Sequence, residues 1–150
     1  MMANYRERII ALWTTFLLGT LFHTQLGLMP LFHGLSVAES QHASQLSDIS
    51  VIMWLMLGFF TLPILAIIAT SFTESKRYRM LHFGLTVFYS VMNFLHIIAD
   101  LFVQPILWYQ ITLMVILFLI GLLLNLVSFQ WMKLQPKIHK LHPRLTSPHS

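Results

Sequence analysis

The chain has 150 residues, of which 57% are hydrophobic and only 9% are charged, whereas a soluble domain carries about 25% charged residues. This composition excludes an ordinary soluble domain and predicts an integral membrane protein. The absence of cysteine excludes disulfide bonds, zinc–thiolate sites, iron–sulfur clusters and cysteine nucleophiles. The formal net charge of +4 is compatible with nucleic-acid binding, but the positions of the basic residues favour contact with lipid instead.

Four apolar runs follow one another, at about residues 9–32, 51–72, 80–103 and 106–132. Each exceeds the ~20 residues that an α-helix needs to cross the hydrocarbon core. We therefore predict one all-α membrane domain, residues 1–132, built as a four-helix transmembrane bundle in up-down-up-down order. The short turn at Gln104 and Pro105 predicts antiparallel third and fourth helices, with Pro105 as the first residue of the fourth. Residues 133–150 are predicted to form a basic cytoplasmic tail.

All nine Lys and Arg residues lie before the first run, between the second and third, or after the fourth: Arg6, Arg8, Lys76, Arg77, Arg79, Lys133, Lys137, Lys140 and Arg144. In a protein with four spans these segments share one side of the membrane, which the positive-inside rule makes cytoplasmic. We predict cytoplasmic termini in a bacterial inner membrane or an equivalent one. The basic residues are expected to contact the lipid bilayer and no nucleic acid. A cleaved signal peptide is disfavoured because the first run, of about 24 residues, is too long.

The first run carries small and polar residues at intervals of four: Thr15, Gly19, His23 and Gly27. This spacing places them on one helix face, and small residues on such a face let a neighbouring helix approach closely. His23 is therefore predicted to lie where the first helix packs against another. The tryptophans lie near predicted helix ends, which favours an interfacial aromatic belt for Trp13, Trp54, Trp108 and Trp131.

The third run carries a polar stripe that is unusual for a helix facing lipid. Its members are separated by steps of 4, 3, 4, 3 and 4 residues: His82, Thr86, Tyr89, Asn93, His96 and Asp100. These steps match the period of an α-helix, so all of the side chains lie on one face. Because an ionisable group in hydrocarbon costs at least about 2.5 kcal/mol, the stripe is predicted to face the bundle interior.

The helical rise predicts that side chains of the first and third helices meet. His23 lies 14 residues after Ile9, and His96 lies 16 residues after Met80; these spacings correspond to about 21 and 24 Å of helix. His23 and His96 are therefore expected at one depth, toward the outer surface, with Asp100 one turn beyond His96.

Other polar residues are expected near the same pocket. Gln110 falls at a similar depth in the fourth helix, and Gln25 lies close to His23. The predicted outer loop, residues 33–50, offers His33, Glu39 and His42. His82, in contrast, has no second histidine at its depth and is expected among the cytoplasmic headgroups.

Two imidazoles and a carboxylate suit a transition-metal ion such as zinc, iron, manganese or copper(II). We therefore consider a metal site formed by His23, His96 and Asp100. One b-type haem held between His23 and His96 is an alternative. A proton or ion route along the stripe is a third possibility, and it would require an oligomer.

No catalytic motif accompanies these residues. The sequence lacks a Gly-rich phosphate loop, an HExxH motif and a GxSxG motif, and Asp100 is the only acid within a predicted span. No catalytic residue is assigned. The preferred interpretation is a small accessory or cofactor-binding membrane protein that works with a larger membrane complex or as a homo-oligomer. A metal- or haem-dependent membrane oxidoreductase that uses the same residues is the enzymatic alternative.

Overall fold

The computed structural model of the protein describes residues 2–36 and 45–134. These residues form four helices: α1 (Met2–Phe32), α2 (Leu46–Phe72), α3 (Lys76–Phe102) and α4 (Trp108–Lys133). Each helix is long and apolar enough to cross a membrane, which confirms, for the described residues, the predicted all-helical fold with four candidate spans. The up-down order and the cytoplasmic location of the termini remain predictions that rest on the basic residues.

α1 begins before its apolar run and includes Arg6, which binds the end of α2. The Arg6 guanidinium donates hydrogen bonds to the carbonyl oxygens of Thr70 and Ser71 at 2.9 and 2.8 Å. It also pairs with the Glu74 carboxylate at 2.8 Å. The last carbonyl groups of a helix have no partner within the helix and carry partial negative charge. Arg6 therefore has a structural role besides its predicted contact with lipid.

α2 begins at Leu46, so residues 46–50 are helical and are not part of an outer loop as predicted. The physical reason lies in the first turn, where Asp48 Oδ2 accepts a hydrogen bond from the Gln45 backbone N–H at 3.1 Å. A carboxylate at this position favours helix initiation. Glu39 and His42, the predicted loop contributors to the pocket, lie outside the described residues, as does the predicted tail from residue 135 onward.

The connection between α3 and α4 is longer than the predicted two-residue turn. α3 ends at Phe102 and α4 begins at Trp108, so Pro105 lies within the connection and is not the first residue of α4. A proline disfavours helical backbone at the preceding residue, which is consistent with an end of α3 before Gln104. Ile106 and Leu107, which also lie in the connection, are half-buried.

The core lies between α1, α3 and α4, because α4 packs along both of the other helices, whereas α2 packs mainly against α1. Gly19 provides the close approach predicted for α1, since a Cβ at this position would overlap Leu117 of α4. Thr15, on the same predicted face, is instead exposed, and its hydroxyl donates to the Ala11 carbonyl oxygen within α1. The face of α1 that packs against another helix is therefore narrower than the four-residue spacing of its small and polar residues predicts.

Two of the four tryptophans are core residues. Trp13 and Trp131 are 0% and 1% exposed, whereas Trp54 and Trp108 are 72% and 66% exposed. The predicted interfacial location is wrong for Trp13 and Trp131 because both pack edge-on against His82 in the interior. Distance from the end of a run indicates depth, but it does not indicate which way a side chain points.

α3 turns most of its polar stripe toward the other helices. The buried polar side chains are Arg79, His82, Thr86, Tyr89, Ser90 and Asn93. His96 is exposed and Asp100 is half-buried. The prediction of an inward-facing stripe is therefore confirmed from His82 to Asn93, and the stripe leaves the core near the end of α3.

Candidate metal site

His23, His96 and Asp100 meet at the end of the bundle that carries the α1–α2 and α3–α4 connections, here called the His/Asp end. One ligand atom from each residue lies within 4.8 Å of the other two. The two imidazole rings are in edge-to-face contact, with centroids 5.5 Å apart and planes at 80°. His96 Nε2 lies 3.5 Å from Asp100 Oδ2. The structure therefore joins the three residues that the depth comparison predicts to meet.

Two helices position these groups. His96 and Asp100 lie four residues apart on α3, so their side chains project from the same face in successive turns. His23 comes from the facing surface of α1, one turn after the Gly19 contact with α4. The helical period thus aligns two of the candidate metal ligands, His96 and Asp100. The packing of the helices brings the third candidate ligand, His23, close to them.

Two of the three side chains contain a buried polar atom without a hydrogen-bond partner among the described residues. These atoms are His23 Nδ1 and Asp100 Oδ2. Leaving a buried polar atom unpaired costs about 1–3 kcal/mol, so the arrangement is unfavourable as it stands. A cation between the side chains would satisfy both atoms, since each has a lone pair to donate.

The geometry is close to what one ion requires. Ligand atoms that lie 2.0–2.2 Å from a zinc ion are about 3–4 Å from one another, and the observed separations reach at most 4.8 Å. Binding of one ion would therefore require these side chains to move closer together by about 1 Å. His96 is 51% exposed, so its ring has space for such a movement.

A cavity of about 640 Å³ adjoins the group at the His/Asp end, with Asp100 and Gln110 in its wall. Gln110 also faces α1, because a Cβ added at Gly27 would lie 3.5 Å from Gln110 Nε2. Gln110 therefore reaches the predicted pocket, whereas Gln25 is exposed on α1. The cavity offers room for water or a further ligand beside Asp100. His33 is exposed in the α1–α2 connection and is not a member of the three-residue group.

His82 is a core residue, contrary to the prediction of an interfacial histidine without a partner. It is 1% exposed, and its Nε2 accepts a hydrogen bond from Trp13 Nε1 at 2.9 Å. It lies 14 residues from His96 on α3, or about 21 Å along the helix. The prediction failed because it considered only a second histidine as a partner, and not an indole N–H donor.

Sequence reasoning also missed Arg79, which it assigned to a charged loop. Arg79 is 2% exposed, and its Nη1 donates hydrogen bonds to the carbonyl oxygens of Trp131 and Leu134 at 2.9 and 2.8 Å. A signal was present in the sequence, since Arg79 precedes His82 by three residues and extends the stripe by one more step.

Tyr89 and Asn93, also predicted members of the stripe, differ from each other in their hydrogen bonds. Tyr89 donates to the Phe59 carbonyl oxygen at 2.6 Å, whereas Asn93 Oδ1 has no partner among the described residues.

Comparison with known protein families, curated proteins and solved structures gives no match to this chain. The functional proposal therefore rests on the residues and geometry of the bundle.

Proposed function

We propose that this chain is a small integral membrane protein that binds one transition-metal ion at the His/Asp end, through His23, His96 and Asp100. The observation that carries the proposal is the convergence of three ligand atoms within 4.8 Å. Two of the side chains contribute buried atoms that lack hydrogen-bond partners in the described chain. If both termini are cytoplasmic, the ion is bound toward the outer face of the membrane.

The donor set favours a borderline metal. Two imidazole nitrogens and a carboxylate oxygen suit zinc, iron, manganese or copper(II), and they disfavour copper(I), which prefers sulfur. The adjoining cavity beside Asp100 leaves room for a water molecule as a further ligand. Such an open position is typical of metal sites that exchange ligands, whereas structural zinc sites are closed.

The contact between the imidazole rings favours a single ion over haem. Axial histidines lie on opposite faces of a haem, so the macrocycle must fit between them. Here the rings touch edge to face with centroids 5.5 Å apart, which leaves no space for a macrocycle between them. Haem binding would require α1 and α3 to separate at this level.

The proposed role is that of a cofactor-binding or accessory protein, because only one carboxylate and no nucleophile belong to the three-residue group. Assembly with a larger membrane complex or with further copies of this chain is compatible with the site. The oxidoreductase alternative uses the same residues and would depend on a redox-active ion. Metal selectivity distinguishes these roles, since zinc has no redox chemistry.

The test is metal binding by the purified full-length chain. After treatment with a chelator in mild detergent, the protein is dialysed against Zn²⁺, and bound metal is measured per chain. We expect one ion per chain and a loss of affinity of roughly tenfold or more in Asp100→Asn and His96→Ala. Co²⁺ in place of Zn²⁺ should give a visible absorption band that these variants lose.

A matched control is needed because the chain has eight histidines. His139→Ala removes a histidine outside the proposed group and should leave both the stoichiometry and the affinity unchanged. Equal losses in His139→Ala and His96→Ala would indicate non-specific binding by scattered histidines. Unchanged Zn²⁺ affinity in Asp100→Asn and His96→Ala would contradict the proposed site directly.

A further inference from the structure

A second cavity lies between α1, α2 and α3 at the level of Asn93, with Met114 of α4 also in its wall. Its volume is about 610 Å³, within the range of about 300–1,000 Å³ that is usual for small-molecule sites. The cavity arises because α2 packs mainly against α1 and reaches α3 through individual side chains, such as the hydrogen bond from Tyr89 to Phe59. Since the surrounding helices are candidate membrane spans, a ligand would enter this cavity from the lipid.

The walls of the cavity suit a flat, uncharged ring. None of its lining residues carries a carboxylate, an ammonium group or a guanidinium group, and six of them are aromatic: Phe16, Trp54, Phe59, Phe60, Phe88 and Tyr89. Aromatic side chains favour offset-stacked and edge-to-face contacts with another ring. His96 is the one ionisable base on these walls, and no lysine or arginine accompanies it, so an anionic lipid headgroup is a poorer match than an uncharged ring.

Polar side chains line the cavity on α1 and α3. The hydroxyls of Thr20 and Thr24 donate to carbonyl oxygens within α1, whereas the α3 wall contributes an unpaired polar atom. Asn93 lines the cavity although it is only 6% exposed, and its Oδ1 has no hydrogen-bond partner among the described residues. His96 lines the same cavity one turn further along α3. The Asn93 amide offers both a donor and an acceptor, so it can bind a carbonyl oxygen or a hydroxyl group on a ring.

We propose that this cavity binds the ring of a lipid-soluble quinone or quinol, with Asn93 hydrogen-bonded to a ring oxygen and the aromatic residues against the ring. A quinone combines the three required properties: it is planar, it is uncharged, and it carries oxygen atoms on an apolar molecule. This proposal goes beyond the metal site and does not depend on it. His96 lies at both places, so a bound ring and a bound ion would be neighbours.

The test uses decylubiquinone and the tryptophan fluorescence of the full-length chain in detergent. Trp54 lies in the cavity wall, so quinone binding should quench its emission in a saturable way. Trp54→Phe should lose most of the saturable component, which separates it from quenching of the exposed Trp108. The saturable remainder is expected from Trp13, which packs against the lining residues Phe16 and Tyr89. Because the probe partitions into micelles, its concentration is expressed per mole of detergent.

Asn93→Ala tests the hydrogen bond without blocking the cavity, since the substitution only enlarges it. We expect the half-saturation concentration to rise about fivefold. The variant should fold, because Asn93 makes no described hydrogen bond through Oδ1 and alanine is a strong helix former; circular dichroism checks this. Thr112→Val is the control, because Thr112 is exposed and bonds within α4 to the Trp108 carbonyl oxygen. It should bind decylubiquinone like the wild type.

Crossed measurements keep this proposal separate from the metal site. Asn93→Ala should retain Zn²⁺ binding, and Asp100→Asn should retain decylubiquinone binding. Linear, non-saturable quenching, or equal half-saturation concentrations in Asn93→Ala and Thr112→Val, would overturn the quinone proposal and leave the metal proposal standing. Equally effective displacement of the probe by phosphatidylglycerol would also overturn it, because the cavity would then be a general lipid site.

Discussion

Replacement of Arg79 by methionine should destabilise the bundle at the end opposite to the metal site. Arg79 Nη1 donates two hydrogen bonds to carbonyl oxygens at the end of α4, at 2.9 and 2.8 Å. Hydrogen bonds to charged groups contribute about 1.5–3 kcal/mol each, so the pair contributes about 3–6 kcal/mol. Methionine also removes the buried Nε, which has no described partner and whose burial costs about 1–3 kcal/mol. We therefore expect a net loss of about 2.5 kcal/mol in the free energy of unfolding, the difference between the middle values of these two ranges.

The assay is unfolding in mixed micelles by increasing the fraction of sodium dodecyl sulfate, followed by circular dichroism. Arg77→Met is the matched control, since Arg77 lies two residues away, is exposed, and should change stability by less than about 0.5 kcal/mol. Arg79→Lys should fall between Arg79→Met and the wild type, because an ammonium group retains the charge but not the planar geometry. If Arg79→Met were as stable as Arg77→Met, desolvation of the guanidinium would have cancelled its hydrogen bonds, and the reasoning would be wrong.

Three further predictions concern the core and the site. Trp13→Phe should lower the free energy of unfolding by about 1 kcal/mol, because it removes the hydrogen bond to His82. A double-mutant cycle with His82→Phe measures the coupling energy between the two side chains, and a coupling energy of zero would contradict the prediction. Gly19→Ala should lower the free energy of unfolding by about 1–3 kcal/mol, because the added Cβ overlaps a side chain of α4. Gly27→Ala should not lower it, because its added Cβ meets only ordinary contacts. Equal thermal stability of these two variants would exclude the close approach of α1 and α4 at Gly19. Zn²⁺ at a hundredfold excess over its Kd should raise the unfolding free energy of the wild type by about 2.7 kcal/mol but should scarcely affect Asp100→Asn; equal stabilisation of both would place the ion elsewhere.

The sequence predicts the elements and their depth because both depend on regular quantities. Helix length follows from the apolar runs, and the rise of about 1.5 Å per residue brings His23 and His96 to one level, where their rings indeed lie 5.5 Å apart. A comparison of depths also places Trp13 and His82 at a similar level, since each lies near the start of its apolar run. That pair was missed because only identical ligand types were compared.

Rotation about the helix axis is harder to predict, because it depends on which neighbours pack together. Nothing local in the sequence distinguishes buried Trp131 from exposed Trp108, and the difference comes from the contact of α4 with α1 and α3. The arrangement of α2 is equally invisible in its sequence, since that helix is apolar on all sides. Its packing against α1 creates the cavity beside Asn93, so the cavity could not be predicted.

The stripe on α3 is not one uniform feature, because its members differ in whether they form hydrogen bonds to other helices. Three buried residues of the stripe nearer the start of α3 make hydrogen bonds to other helices or to the end of α4: Arg79, His82 and Tyr89. Arg79 Nε and His82 Nδ1 nevertheless have no partner among the described residues. Asn93 Oδ1 and Asp100 Oδ2 have no such partner among the described residues, and His96 meets Asp100 only at 3.5 Å. Unpaired buried groups lower stability in both parts of the stripe, so they do not by themselves distinguish the two parts. What distinguishes the part near the end of α3 is its surroundings, because Asn93 and Asp100 each line a cavity. His96 and Asp100 also lie beside a third ionisable group, His23, and a ligand-binding segment requires such surroundings.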